Sequence, residues 1–96
     1  MTLMRLSDVE RRALVQAVTA SDPEAQVWLH GSRVRDDARG GDIDLLVLSS
    51  RMRLEDKLDV LTRLRPQLGD QRIDITLARD NSPPFVRLVL DGAVRL

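Results

Sequence analysis

The chain has 96 residues, of which 43% are hydrophobic and 31% charged, a composition too apolar for disorder and ordinary for one folded unit spanning 1–96. Fifteen basic side chains balance fifteen acidic ones, which excludes a general positive field that would draw the protein onto nucleic acid or an anionic membrane. Cysteine is absent, so disulfides, thiolate metal sites and a thiol nucleophile are excluded, and any metal must take oxygen ligands or the lone imidazole of His30.

In chain order, Met1 to Asp8 lacks the apolar run of a signal peptide, and no segment approaches the roughly 20 apolar residues that span a bilayer. A cytoplasmic protein is the expectation. Ser7 followed by Glu10 is a capping-box pattern, and Val9, Ala13, Leu14, Ala17 and Val18 continue it as an amphipathic helix to about Ala20. After the turn Ser21-Asp22-Pro23, the run Val27-Trp28-Leu29 reads as a short buried strand ending at Gly31. Arg33 to Gly41 reads as a short helical turn and a loop. Asp42-Ile43-Asp44 alternates before Leu45 to Leu48 continues apolar, as in a strand exposed at its first end on one face and buried beyond.

Leu54, Leu58, Leu61 and Leu64 recur at helical spacing, and Pro66 and Gly69 mark the end of that helix. Ile73, Ile75 and Leu77 alternate with Asp74, Thr76 and Ala78, the period of a two-sided strand. Pro83-Pro84 suits a helix start, with Phe85, Leu88 and Val89 as its apolar stripe, and Val94 to Leu96 can add a last strand. These elements predict an α+β (α/β) fold, a small mixed β-sheet packed against helices.

Residues two apart on a strand project to one face, so Asp42 and Asp44 present adjacent carboxylates. A desolvated carboxylate needs a partner or takes up a proton, and a divalent cation suits both at once. If the strand of Asp74 lies beside that of Asp42, the three carboxylates converge. Hard oxygen ligands fit Mg²⁺, or alternatively Mn²⁺, with water and substrate phosphate completing the coordination. Two-metal phosphoryl chemistry places its ions about 3.5 to 4 Å apart, and three aspartates suffice for that. Upstream, His30-Gly31-Ser32-Arg33 leaves a strand for a helical turn, where free backbone amides favour phosphate, Ser32 adds a hydroxyl donor and Arg33 a guanidinium. The cluster Arg33, Arg35 and Arg39 is interleaved with Asp36 and Asp37, which suits a solvated loop as well as a phosphate clamp, and only Arg33, next to Gly31-Ser32, is taken as a substrate contact. His30 at a strand end reads as a packed or hydrogen-bonded imidazole and is left out of the site, and Trp28 reads as core.

His30-Gly31-Ser32, nine intervening residues, Asp42-Ile43-Asp44-Leu45 and a distant Ile73-Asp74-Ile75 together resemble the polymerase-β-type nucleotidyltransferase superfamily. The stretch from Gly31 through Arg39 is similar to the minimal nucleotidyltransferases in particular. The spacing from Ser32 to Asp42 is one residue shorter than is common in that group, and Gly41 stands where a serine often precedes the first aspartate. The resemblance implies a nucleotidyltransferase fold in which Gly31 and Ser32 hold the triphosphate of ATP, and Arg33, next to that turn, is added to the nucleotide-binding set on its position and charge. It also implies that Asp42, Asp44 and Asp74 bind Mg²⁺, as two ions, and that Asp74 helps activate an acceptor hydroxyl.

It further implies a partner. Minimal nucleotidyltransferases are encoded beside a small helical HEPN protein, an RNase toxin that they neutralise, in some cases by placing AMP on a tyrosine. The expectation is therefore an antitoxin enzyme in a hetero-oligomer with a HEPN-type toxin, without membrane or direct nucleic-acid binding. A binding-only antitoxin with a vestigial site is the alternative. A small-molecule enzyme of the aminoglycoside-modifying type comes third, because those enzymes carry an additional helical domain.

Overall fold

A computed structural model describes residues 6–31, 42–69 and 71–96. Their elements follow the order α1 (Asp8–Thr19), β1 (Gln26–His30), β2 (Ile43–Leu48), α2 (Leu54–Leu68), β3 (Ile73–Ala78), α3 (Pro84–Leu90) and β4 (Val94–Arg95). The expected turn and loop between Arg33 and Gly41 lie outside the described residues.

The capping box forms as the sequence dictates. Glu10 N donates to Ser7 Oγ at 3.1 Å, and Ser7 N donates to Glu10 Oε1 at 3.0 Å, so two amides that α1 leaves without helical partners are satisfied. No basic residue lies in the last turn of α1. Arg63 of α2 supplies the cation instead, its Nη1 donating to Ala17 O at 2.9 Å and to Ser21 Oγ at 2.7 Å. At the start of α2, Arg53 N donates to Asp56 Oδ2 at 2.8 Å. Pro66 sits inside α2 rather than ending it, and the helix stops at Gly69, whose φ of 63° few other residues adopt.

The strands form one sheet in the order β3-β2-β1-β4. β1 is antiparallel to both β2 and β4, whereas β2 and β3 are parallel and are joined by α2 as the crossover that parallel strands require. Strand alternation divides the apolar residues between two faces. Val27, Leu29, Ile43, Leu45, Val47 and Ile75 face α1 and α2, where Ala13, Leu14, Ala17, Val18, Val60, Leu64 and Leu68 close the main core. On the other face Leu46 and Ala78 pack against Val86 of α3, with Trp28, Leu48, Val89 and Leu90 around them. Trp28 is therefore a packing residue, as expected, and its Nε1 donates to Gln26 Oε1 at 3.2 Å.

Two helical stripes differ from the sequence reading. In α2 the buried positions are Val60, Leu64 and Leu68, and Leu54 and Leu58 are exposed. In α3 Val86 is buried, while Phe85 and Leu88 are 53% and 76% exposed. Val9 is likewise exposed in α1. A helix rich in apolar residues offers more than one stripe at i, i+3, i+4 spacing, and the sheet selects among them. Among the described residues no helix is long and apolar enough to cross a membrane.

Candidate active site

The parallel pairing sets Ile43 opposite Ile73 and Asp44 opposite Asp74. Ile43 N donates to Arg72 O at 2.9 Å, which fixes that register where the two strands begin. Strands lie about 4.8 Å apart, and residues at one level point to the same face, so the Asp44 and Asp74 carboxylates stand side by side. Asp42, two residues before Asp44, shares that face. The face is the one that α3 packs on, but α3 covers its far end at Leu46 and Ala78 and leaves Asp74 exposed.

Arg72 joins the group. Its Nε lies 3.6 Å from Asp42 Oδ2 and 3.6 Å from Asp74 Oδ2, with the Asp42 and Asp74 side chains 45% and 50% exposed and that of Arg72 73% exposed. These distances exceed those of good hydrogen bonds, so the guanidinium acts as a charge between two carboxylates rather than as a bidentate clamp. Arg72 was not singled out by the motif reading. Parity puts Arg72 on the face of Asp74, two residues on, but its place beside Asp42 as well follows only from the parallel register of the two strands.

Asp44 is the most enclosed of the three. Burial pushes its carboxyl above the ordinary aspartate value, His30 opposes that rise, Asp74 and Asp42 add to it, and Arg72 opposes it. His30 is the cross-strand partner of Asp44, and its Nε2 is buried without a hydrogen-bond partner among the described residues. Gly31 follows at φ 79°, with its Cα against Asp44: a Cβ placed there would overlap Asp44 Oδ2. Glycine is thus required twice, by the backbone conformation and by the carboxylate beside it. The structure brings together Asp42, Asp44, Asp74 and Gly31. Ser32 and Arg33 lie outside the described residues.

The donor set is all oxygen and suits a hard cation. Asp44 is a desolvated carboxylate with two like charges beside it, the situation that a divalent ion relieves. As the side chains stand, no group of three or more His, Cys, Asp or Glu among the described residues forms a ready coordination cage. Mg²⁺ does not depend on such cages, since it usually keeps several waters and binds through one or two carboxylates plus substrate phosphates. The residues fit the ion on that basis.

One family model matches the chain, that of Polymerase beta, Nucleotidyltransferase, over residues 15–96. The match takes in β1, Gly31, Ser32 and all three aspartates. No curated protein matches the chain.

Proposed function

Because the chain belongs to the polymerase beta nucleotidyltransferase family, and is thus a nucleotidyltransferase, we propose that it transfers AMP from ATP to a hydroxyl of a partner protein in the cytoplasm, with Asp42, Asp44 and Asp74 holding Mg²⁺. The observation that carries the reading is the in-register pairing of Asp44 with Asp74, with Asp42 on the same face. Gly31, Ser32 and Arg33 hold the triphosphate: glycine lets the backbone come close to an anion, and the next residues bring a hydroxyl and a guanidinium.

In the reaction the acceptor oxygen forms a bond to the α-phosphorus, the bond from that phosphorus to the bridging oxygen breaks, and pyrophosphate leaves. Bound Mg²⁺ supplies Lewis-acid stabilisation of the charge on the phosphate oxygens. Asp74, half exposed at the open end of its strand, is the carboxylate best placed to reach an acceptor and to take up the proton that its hydroxyl gives up. Enclosed Asp44 is the orienting ligand, held by the neighbouring Gly31 turn.

The acceptor is a tyrosine of a small helical HEPN RNase toxin, which the enzyme neutralises within a hetero-oligomer. The likeness of residues 31–39 to the minimal nucleotidyltransferases supports this assignment, and the exposed Phe85 and Leu88 of α3 offer apolar surface for a partner. The test is incubation with α-labelled ATP and Mg²⁺ in the presence of the helical protein encoded beside it. Label on that protein is expected, and its loss with Asp42→Ala plus Asp44→Ala. A stable complex with no label transferred would replace the enzyme with a binding-only antitoxin.

A further inference from the structure

Arg72 stands between two of the carboxylates assigned to the metal, at 3.6 Å from each, on a side chain that is 73% exposed. Among the described residues no comparable cation lies on the third, for Asp44 has only the more distant influence of Arg72 beside that of His30. The backbone carbonyl of Arg72 is fixed by Ile43 N, whereas its long side chain projects into solvent and can swing away without disturbing the sheet. We propose that Arg72 is an internal counter-cation. It occupies the space between Asp42 and Asp74 while the site is empty, competes with a free divalent ion for them, and turns to the triphosphate when metal arrives together with nucleotide. The inference rests on the assignment of Asp42 and Asp74 as metal ligands.

The physical reason lies in the sign of the incoming charge. A free divalent cation is repelled by the guanidinium and must displace it from two carboxylates. A metal–triphosphate complex is a net anion, and the same guanidinium attracts it and offers it a fork of donors. Arg72 thereby makes free metal bind weakly and metal–nucleotide bind well, so the ion is loaded with its substrate. A purely structural arginine would shift both affinities in the same direction.

The experiment is calorimetric titration of the parent, Arg72→Gln and Arg72→Lys with Mn²⁺ alone, and then with Mn²⁺ and a non-hydrolysable ATP analogue. Arg72→Gln is expected to bind Mn²⁺ alone about three- to tenfold more tightly and the Mn²⁺–analogue complex about three- to tenfold more weakly, the scale of a contact between exposed charges. Both differences shrink at high salt, and Arg72→Lys, which keeps the charge, stays near the parent in the first titration. Affinities that move together in Arg72→Gln, or that do not move, overturn the inference while parental Mn²⁺ binding leaves the metal assignment standing. A parent that binds no Mn²⁺ in either titration overturns both. Circular dichroism confirms the fold of each variant, and a lysine variant that behaves like Arg72→Gln in the first titration also counts against a charge mechanism.

Discussion

Replacing Gly31 by alanine tests whether the turn and the carboxylate are built as one unit. At φ 79° an alanine in the left-handed region costs about 1 to 2 kcal/mol. The new Cβ also overlaps Asp44 Oδ2, and turning that carboxylate away from its preferred rotamer costs about 0.5 to 1.5 kcal/mol more. The total of about 1.5 to 3.5 kcal/mol lowers the melting temperature of a domain this size by roughly 6 to 28 °C. Gly69 is the control, since it has φ 63° and nothing within 4 Å of an added Cβ. Gly69→Ala should therefore show only the backbone cost. Denaturant unfolding of Gly31→Ala, Asp44→Ala and the double variant completes the comparison. Asp44→Ala removes the atom that is struck, so the double variant should be less destabilised than the sum of the singles by about 0.5 to 1.5 kcal/mol. Additivity within about 0.3 kcal/mol would refute the contact between the turn and the Asp44 carboxylate. Gly31→Ala should also weaken Mn²⁺ binding even without nucleotide, because Asp44 is displaced.

Three further outcomes are expected. Burial raises the Asp44 carboxyl above its ordinary 3.8, so its ionised form costs stability that is absent below that value and grows as pH rises through the folded-state value. Asp44→Asn should accordingly be more stable than the metal-free parent at about pH 7 and equal to it at about pH 3, as followed by urea unfolding across pH. Asp22 behaves in the opposite sense. Ser49 Oγ donates to its Oδ2 at 2.5 Å and Glu24 N to its Oδ1 at 3.0 Å, and these bonds hold its carboxyl below 3.8. That stability is present above 3.8 and is lost as pH falls through the folded-state value, so Asp22→Asn should destabilise at neutral pH, with the difference closing in acid. Leu64 is fully buried between α2 and the sheet, and Leu64→Ala should cost about 3 to 5 kcal/mol by chemical denaturation.

The chemistry-bearing strands were legible because a period of two carries positional information. Asp42 and Asp44 had to share a face, and once β2 and β3 paired in parallel the alternation of Ile73, Asp74 and Ile75 placed Asp74 beside them. The capping box at Ser7 and Glu10 and the proline start of α3 were legible for a local reason, since they satisfy or forgo backbone donors within one turn. What escaped the sequence depends on which neighbour a face meets. Leu54, Leu58, Phe85 and Leu88 have the right spacing for a core stripe, yet Val60 and Val86 face the sheet instead, because the sheet and the connecting turns fix the rotation of each helix. Arg72 escaped because a cation before a strand is ordinarily a solvated charge, and only the parallel register shows that it spans two carboxylates. The expectation of a packed or hydrogen-bonded imidazole at His30 is met in the burial of its Nε2, but its place opposite Asp44, with that nitrogen lacking a hydrogen-bond partner among the described residues, is something neighbouring residues in sequence could not indicate.

The proposed function depends on Asp42, Asp44 and Asp74 forming one divalent-metal site for nucleotidyl transfer. It is tested most directly by Mn²⁺ titration with a non-hydrolysable ATP analogue, followed by electron paramagnetic resonance, in the parent and in Asp44→Asn plus Asp74→Asn. A saturable bound-Mn²⁺ signal is expected in the parent, together with its loss in the folded double variant, if the in-register pair supplies the oxygen ligands. A bound-Mn²⁺ signal of the same strength and affinity in the double variant would contradict it.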